Sequence, residues 1–431
     1  MVIGNDNWRL KLHIMPPKGW LNDPNGLCFF KGEYHVFFQY SPEDVNGGLK
    51  HWGHYKSRDL VKWEFVGIPI SPEEAYEKDG VYSGCAFVEN DKIHLFYTGN
   101  VKMEGNYDYI TEGRESNVIH AICKDGITVT DKQCIMTNSD YPANYTCHVR
   151  DPKVWKTNGI YYMILGGRDI DDVGKVLVYC SYDLKKWTFC NEVYPEKAFG
   201  YMWECPDYFE VNHNKILSVS PQGVSENAYS YQNIYQSGYY FLDGNIADAY
   251  KLSEFKEWDM GFDFYAPQTF EDEKGRRILI AWMGVPDAPY TNPTTRYGWQ
   301  HALTMPRVVS VKDGMVLQQP VEELRLLLGK PLLFKSGEKI ELEANISEVV
   351  IDNSKEADCI ITIANGLQLR YDSQEHIFTM EFLNEIGCGR KKRMTKISRC
   401  WKIQIFIDTS AVEVYLNDGE IVMTTRYYPG T

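Results

Sequence analysis

The sequence predicts an all-β protein in which a five-bladed β-propeller is followed by a C-terminal β-sandwich. Three observations support this prediction: one phrase recurs five times, helical periodicity is nearly absent before residue 310, and short alternating strands fill the remainder. Several-stranded units that recur in this way are typical of blades arranged around an axis. We therefore predict a propeller over residues 1–318, a linker helix over 319–330 and a sandwich over 331–431.

Each of the five repeats begins with a short motif that ends in Pro or Gly. The copies are Asn22-Asp23-Pro24, Tyr82-Ser83-Gly84, Arg150-Asp151-Pro152, Glu204-Cys205-Pro206 and Tyr265-Ala266-Pro267. Each motif is followed by a large apolar residue, a turn and an apolar strand, predicted at 34–38, 93–97, 161–165, 216–219 and 278–282. A second shared phrase, at 57–63 and 181–187, also indicates internal repetition.

The linker and the sandwich are predicted from the last quarter of the chain. Residues 321–328, between Pro320 and Gly329, favour a short helix. Short strands are predicted beyond it, at 339–343, 359–363, 367–371, 401–407, 412–416 and 421–424. The sequence at 417–420, Asn-Asp-Gly-Glu, indicates a hairpin turn between the last two strands. This pattern is typical of a β-sandwich and carries no information about chemistry.

Composition excludes several classes of protein. A net charge of −14 and a pI near 5.3 argue against nucleic-acid binding, which needs basic patches. The 11 cysteines are scattered without metal-ligand spacing, so we predict no metal and no cofactor. Residues 1–18 lack the apolar segment of a secretion signal, and no run approaches the roughly 20 apolar residues of a membrane span. We therefore predict a cytoplasmic protein without membrane partners, and its oligomeric state is not indicated.

The 30 Tyr and 11 Trp suit both β-structure and sugar binding, because sugar faces stack on flat rings. Three motif heads also carry a carboxylate: Asp23, Asp151 and Glu204. In a cyclic array equivalent positions point at one place, so we expect these groups to meet. Crowded carboxylates are costly and are typical of functional sites. Glu204 lies one residue out of phase with the other two, and the sequence by itself offers no reason for this.

Paired carboxylates in different environments can cleave an acetal, since one supplies a proton and the other stabilises the sugar cation. Asp23 lies in a predicted tight turn that would hold an ionised nucleophile rigidly. Glu204 lies between Trp203 and Cys205, a weakly polar setting that would favour the protonated form. Asp151 follows Arg150, and contact between them would keep Asp151 ionised. The ordinary alternatives are an Asp-Pro turn and a surface Glu beside Trp.

These motifs resemble the β-fructofuranosidase (invertase) family, glycoside hydrolase family 32. The resemblance covers nearly the whole chain and rests on residues 20–26, 150–152 and 204–207, in the family's order. It implies a five-bladed propeller, a sandwich and a retaining double displacement. Asp23 would attack the fructosyl anomeric carbon, Glu204 would act as acid and base, and Asp151 would hold fructose hydroxyls. The family pattern extends beyond Thr431, so the sandwich is expected to lack its final strands.

Further site residues are implied by the same resemblance. Those expected to bind the fructose unit are Asn22, Gln39, Trp52, Tyr82, Ser83, Arg150, Tyr265 and Trp282, while Trp299 is interpreted as structural. Residues 220–223 and 231–238 resemble the intracellular sucrose-6-phosphate hydrolases within the family. A phosphate would need a cation at the pocket mouth, for which Arg114, Arg168 and Arg296 are candidates. The alternative for each arginine is a surface ion pair.

The sequence therefore predicts an enzyme that hydrolyses sucrose 6-phosphate, sucrose or both to release fructose, with a small sugar as its partner. Three alternatives remain open. The first is a fructan exo-hydrolase of the inulinase or levanase type. The second is a furanosidase of another five-bladed family, such as an arabinanase. The third is a non-catalytic sugar-binding protein of the same fold, which would bind sugar without turnover.

Overall fold

The computed structural model describes residues 6–333, 337–339 and 346–430, and this part of the chain is nearly all β. Its helical segments are short 3₁₀ helices at Ala75–Glu77, Asn138–Asp140, Pro293–Tyr297, Glu322–Leu327 and Glu385–Gly387. No helix in these ranges is long and apolar enough to cross a membrane. Hydrogen bonds between strands therefore pair much of the backbone, and the fold is described by its sheets.

Five sheets succeed one another along the first three quarters of the chain. The first contains β1 (Gly19–Phe30), β2 (Glu33–Ser41), β3 (His51–Ser57) and β4 (Glu64–Ile70). The second contains β5 (Val81–Glu89), β6 (Lys92–Lys102), β7 (Arg114–Cys123) and β8 (Val129–Met136). The third contains β9 (Tyr145–Thr157), β10 (Ile160–Asp169), β11 (Gly174–Ser181) and β12 (Thr188–Val193).

The fourth and fifth sheets follow the same plan. The fourth contains β13 (Met202–Val211), β14 (Asn214–Gln222), β15 (Gly238–Gly244), β16 (Tyr250–Leu252) and β17 (Lys256–Glu257). After it come β18 (Tyr265–Glu271), β19 (Arg277–Trp282), β20 (Trp299–Gln300), β21 (Arg307–Lys312) and β22 (Met315–Pro320). The fifth sheet is β18-β19-β21-β22, because β20 instead pairs in parallel with β1 and joins the last sheet to the first.

The C-terminal part contains two further four-stranded sheets. Its strands are β23 (Ser347–Asp352), β24 (Cys359–Ile363), β25 (Leu367–Asp372), β26 (Ile377–Phe382), β27 (Lys392–Lys396), β28 (Lys402–Asp408), β29 (Ala411–Leu416) and β30 (Ile421–Arg426). They pair in the orders β23-β28-β29-β30 and β24-β25-β26-β27, and side chains of both sheets share one hydrophobic core.

The sequence located most of these elements. The five strands predicted after the motifs lie within β2, β6, β10, β14 and β19, and those predicted after residue 350 lie in or overlap β24, β25, β28, β29 and β30. The helix predicted at 321–328 is a 3₁₀ helix at Glu322–Leu327 with no side-chain cap at Val321, which is consistent with its shortness. Residues 340–343 of the strand predicted at 339–343 lie outside the described residues.

The repeated phrase at 57–63 and 181–187 forms the same turn twice. Asp59 and Asp183 each accept hydrogen bonds from the backbone N–H groups two and three residues further on. The intervening Leu60 and Leu184 have φ values of 59° and 62°. Because the turns follow β3 and β11, the third strands of their sheets, they confirm the internal repetition inferred from sequence.

All five motifs lie on the first strand of their sheet. These first strands contact one another in a closed order, β1 with β5, β5 with β9, β9 with β13, β13 with β18, and β18 with β1. At every motif the ladder to the second strand is interrupted by a register shift. In four motifs the interruption is expected because proline has no N–H to donate, and in the second Gly84 stands at the same position. Each bulge changes the direction of the side chains around it.

A chain of buried charges joins the fifth sheet to the C-terminal part. Arg307 on β21 donates to Glu413 on β29 at 2.8 Å and to Asp259 at 3.2 Å. Glu413 in turn lies 3.1 Å from Nε2 of His13, whose Nδ1 is 2.8 Å from Asp408. All five side chains are fully buried, so each depends on its partners for compensation of lost hydration.

The His13 contacts predict a pH-dependent loss of stability. Burial alone would lower the pKa of His13, but its bonds to Asp408 and Glu413 outweigh this effect and raise the pKa from 6.5 to about 9. The stabilisation, up to about 3 kcal/mol, is therefore complete below pH 6.5 and is lost as the pH rises towards 9. We expect the melting temperature to fall over this range in calorimetry.

The matched variant is His13→Gln, which keeps a polar side chain and removes the titration. Its melting temperature is expected to be lower at pH 6 and to change less between pH 6.5 and 9. A wild-type curve that is flat over this interval would contradict the prediction, as would an equal slope in both proteins.

Candidate active site

The motif residues immediately before the Pro or Gly meet at the centre of the ring of first strands. The Ser83 hydroxyl donates to Oδ2 of Asp23 at 2.5 Å, and the Cys205 thiol lies 3.6 Å from the same oxygen. The backbone N–H of Cys205 donates to Oδ2 of Asp151 at 2.8 Å. Four of the five repeats therefore contribute to one cluster, although up to 182 residues separate the contacting groups in sequence.

The residues one position earlier make a second set of contacts, and Glu204 is at its centre. Arg150 donates to Oε1 of Glu204 at 2.6 Å, and the Tyr265 hydroxyl donates to Oε2 at 2.7 Å. Gln222, at the end of β14, donates to Oε2 at 2.8 Å. The one-residue offset of Glu204 thus has a structural reason: around the motif bulges, successive motif residues of different sheets face the same centre.

The Asp23 carboxylate is held from several sides. Besides Ser83, it accepts from the amides of Asn22 at 3.1 Å and Gln39 at 3.2 Å. Burial raises the pKa of Asp23, bonds from Ser83 and Asn22 oppose the rise, and the charge of Glu204 adds to it. These donors hold the Asp23 carboxylate in one orientation. The negative charge of the nearby Glu204 disfavours ionisation of Asp23.

The environment of Glu204 differs from the one expected from sequence. Trp203 and Cys205 were expected to surround it, but the Trp203 indole N–H donates to the Phe199 carbonyl and the Cys205 thiol faces Asp23. The backbone at Cys205 is left-handed (φ 46°) within the motif bulge, and its thiol is thereby directed to Asp23 and not to the Glu204 carboxylate. The structure therefore replaces the expected apolar setting with three hydrogen-bond donors.

The contact between Arg150 and Asp151 that the sequence left open is not a hydrogen bond, because the Arg150 guanidinium donates to Glu204. The carboxylate of Asp151 bonds instead to the backbone N–H of Cys205. Burial raises the pKa of Asp151 from 3.8 to about 7; the nearby positive charge of Arg150 reduces the rise and the charge of Glu204 adds to it. Asp151 therefore carries a proton in part of the molecules at neutral pH.

The aromatic residues predicted for the site occupy different positions around it. Tyr82 is half-buried, whereas Trp52 is fully buried and its indole N–H donates to the Tyr82 carbonyl at 2.9 Å. This hydrogen bond from Trp52 therefore holds the backbone of the second motif in place at Tyr82. Trp282 lies edge-on to Tyr265 with ring centroids 6.3 Å apart, and its buried indole N–H has no partner. An unpartnered donor beside a cluster of carboxylates is a candidate for a ligand hydrogen bond.

Sequence reasoning did not assign a role to two neighbours of the carboxylates. Gln222 belongs to the stretch at 220–223, which carried only a family resemblance. Lys50 donates to Ser41 at 3.1 Å and lies 5.0 Å from the Trp20 ring centroid. Burial lowers the pKa of Lys50 to about 8, although the nearby negative charges of Asp23 and Asp44 act to raise it. Neither residue belongs to a motif head, so the repeat could not identify them.

Two of the three arginines considered for phosphate binding are already engaged. Arg168 lies 2.7 Å from Asp172, which matches the ion-pair alternative. The guanidinium of Arg296 stacks on the Trp8 ring at 4.4 Å. Over the described ranges, no group of three or more His, Cys, Asp or Glu side chains is arranged to hold a metal ion.

Comparison with known proteins gives matches along both parts of the chain. The family model for the glycosyl hydrolases family 32 N-terminal domain matches residues 13–320, and the model for the family 32 C terminal matches 332–431. A sucrose-6-phosphate hydrolase of Bacillus subtilis is 37% identical, over 99% of this chain and 90% of its own length. A raffinose invertase of Escherichia coli is 35% identical, over 98% and 90%.

A solved structure gives the same result in three dimensions. The sucrose-6-phosphate hydrolase of Lactobacillus gasseri superposes with a TM-score of 0.85 at 27% identity, covering 98% of this chain and 89% of that one. The sequence matches and the structural superposition therefore identify the same family of relatives, over nearly the whole chain.

Proposed function

Because the chain belongs to glycosyl hydrolase family 32, and is thus a glycoside hydrolase, we propose that it is a retaining β-fructofuranosidase. Its proposed substrates are sucrose 6-phosphate and sucrose, from which it releases fructose. The observation that carries the proposal is the meeting of Asp23 and Glu204, each bound by its own set of donors, in one cluster. These two carboxylates are the groups that a double displacement requires.

In the proposed first step, Asp23 attacks the anomeric carbon of the fructosyl unit and forms a covalent intermediate. The donors Ser83, Asn22 and Gln39 hold the carboxylate in place, which favours a single line of attack. Burial without a paired cation leaves this carboxylate poorly compensated, and forming a neutral ester with the sugar relieves that cost.

Glu204 is proposed to protonate the leaving oxygen and then to take a proton from the attacking water. Arg150, Tyr265 and Gln222 donate to its two oxygens and hold the carboxyl group in one orientation. A carboxyl group held in this way can deliver a proton to the leaving oxygen and later accept one from water without moving. Asp151 is proposed to hold fructose hydroxyls, for which a carboxyl group can act as acceptor or donor.

The test compares kcat/KM for fructose release from sucrose 6-phosphate, sucrose and an inulin oligosaccharide. NMR is used to observe the anomer formed first. Release of β-fructofuranose from either sucrose substrate would support the proposal. A clear preference for the oligosaccharide would favour the fructan exo-hydrolase alternative. Binding without turnover would favour the non-catalytic one, and initial formation of the α anomer would contradict the double displacement.

We further propose the fold in its finer form, as a five-bladed β-propeller over 1–318, a linker over 319–330 and a β-sandwich over 331–431. Five successive sheets with first strands in a closed ring support the propeller, and two sheets around a shared core support the sandwich. The cytoplasm is the proposed location. The absence of disulfides among its 11 cysteines supports this, because oxidising compartments favour disulfide formation.

Replacement of Glu204 by Gln tests its role as acid and base. We expect kcat/KM on sucrose to fall by roughly 10²- to 10⁴-fold, the usual contribution of general acid–base catalysis. The loss in the first step is expected to be much smaller with an aryl fructoside, whose leaving group needs no proton. Stopped-flow measurement of aryl alcohol release separates the two cases.

Glu226→Gln is the matched control, since Glu226 is exposed and the charge change is the same. It is expected to behave as wild type with both substrates. Equal losses with sucrose and with the aryl fructoside would argue against proton donation by Glu204.

A further inference from the structure

The feature that carries a further inference is the side chain of Arg114, at the start of β7. Its Nε is buried and has no hydrogen-bond partner. In the described part of the chain, no carboxylate forms an ion pair with this guanidinium. Arg114 is half-buried, and a buried N–H donor without a partner is costly, so this group marks a place where an anionic ligand would be favourable.

The nearest polar group to Arg114 cannot satisfy it. Nη1 of Arg114 is 3.3 Å from Nε2 of His148, but this nitrogen is also 3.0 Å from the carbonyl oxygen of Tyr109. Only a protonated Nε2 can bond to a carbonyl, and that nitrogen then cannot accept from Arg114. Burial and the charges of Arg150 and Arg114 lower the pKa of His148 to about 2, so the ring is neutral. The Nε donor of Arg114 is therefore unpartnered, and its Nη1 donor gains no acceptor from His148.

The position of Arg114 connects it with the proposed chemistry. His148 and Arg150 are two residues apart on β9, and alternate strand residues share a face. Arg150 donates to Glu204, the group proposed to protonate the leaving oxygen. Arg150 contacts Glu204 and Arg114 contacts His148, and the charges of Arg150 and Glu204 both act on Arg114, so Arg114 lies close to the proposed acid and base.

Other cations near the pocket are less suited to an anion. Arg168 contributes to the positive potential at His148, but its guanidinium is paired with Asp172. Lys50 interacts with the charges of Asp23 and Asp44, so a phosphate beside it would meet two carboxylates. Arginine also offers parallel donors that match two phosphate oxygens, which an ammonium group does not.

We propose that Arg114 binds the phosphate of a phosphorylated leaving sugar and thereby determines the preference for sucrose 6-phosphate over sucrose. This inference rests on the proposed function. Two charge-assisted hydrogen bonds in a partly buried site correspond to roughly a 10- to 100-fold preference. The Arg150 guanidinium, whose Nη1 is buried without a partner, lies on the same path and remains available to the sugar.

The test measures kcat and KM for both sugars with wild type, Arg114→Gln, Arg114→Lys and Arg168→Gln. We expect Arg114→Gln to lower the ratio of kcat/KM for sucrose 6-phosphate to that for sucrose by 10- to 100-fold, mainly through KM of the phosphorylated sugar. Arg114→Lys should retain part of the ratio. Arg168→Gln makes the same charge change on β10 of the next sheet, and the ratio should stay within threefold of wild type.

Glucose 6-phosphate binding, measured by calorimetry with glucose and inorganic phosphate as controls, reports on the site without turnover. Arg114→Gln is expected to weaken binding of the phosphorylated sugar and to leave glucose binding nearly unchanged. An unchanged ratio and unchanged binding in Arg114→Gln would overturn the proposal, as would a wild type without preference for the phosphorylated sugar. Loss of the preference in Lys50→Gln alone would assign the phosphate to Lys50. If wild type cleaves neither sugar, the proposed function fails, while the calorimetry still tests Arg114.

Discussion

Asp23→Asn is expected to abolish turnover while the protein remains folded. Asparagine keeps the shape and the acceptor oxygen of the side chain but cannot form the covalent fructosyl intermediate. Loss of a nucleophile in another class of hydrolase lowers kcat by roughly 10⁴- to 10⁶-fold, and we expect a loss in this range with sucrose and with an aryl fructoside alike. The insensitivity to leaving group distinguishes this variant from Glu204→Gln.

Stability provides the second readout for Asp23→Asn. Since burial raises the pKa of Asp23, its ionised form opposes folding at neutral pH, and a neutral amide removes this cost. The melting temperature is therefore expected to equal or exceed that of wild type. Asp183→Asn, at an exposed turn, is the control for the charge change and should retain full activity. Substantial turnover by folded Asp23→Asn would exclude Asp23 as the nucleophile.

Arg307→Met is expected to destabilise the protein by about 3–5 kcal/mol, the largest stability effect we foresee. The substitution leaves the carboxylates of Asp259 and Glu413 buried without the Arg307 cation, so that among the described residues Glu413 keeps only His13 as a charged partner, and such poorly compensated charges are strongly unfavourable. Because these residues lie where the fifth sheet meets the C-terminal part, we expect the two parts to unfold at separate temperatures in calorimetry. The unfolding midpoint in urea gives an independent measure.

An exposed ion pair is the control for Arg307→Met. Arg399 lies 2.5 Å from Glu356 and is largely exposed, so Arg399→Met should change the stability by less than about 1 kcal/mol. The double variant Arg307→Met with Glu413→Gln should recover part of the loss, because one of the two unpaired charges is then removed. Destabilisation of similar size in Arg307→Met and Arg399→Met would contradict this account of the interface.

The repeat in the sequence was sufficient to locate the sheets, since a motif followed by a turn and an apolar strand specifies local pairing. The repeat also predicted that Asp23, Asp151 and Glu204 lie close together, because the motif positions of a closed array face one centre. The predicted helix at 321–328 was shorter in the structure, where Val321 supplies no side-chain cap. Local patterns thus predict which residues form strands better than they predict where a short helix begins and ends.

The partners of the site residues could not be predicted in the same way. Contact between Arg150 and its neighbour Asp151 was open from sequence, and the structure shows that Arg150 bonds to Glu204, 54 residues further on. Gln222 and His148 reach the site from strand positions outside the motif heads, and no sequence pattern distinguishes them from ordinary strand residues. Their roles depend on the register between strands and on the bulges at the motifs, which place side chains of different sheets side by side.

The sequence by itself predicted the class of the fold and which three carboxylates would lie close together, because both follow from residue types that recur in the repeats. The tertiary structure alone decided which donors each carboxylate receives, why Glu204 is offset by one residue, and that Nε of Arg114 is buried without a partner among the described residues. The physical reason is that burial and hydrogen bonding between sheets are properties of non-local contacts. Their energies depend on distances and orientations that arise only when the ring of first strands closes.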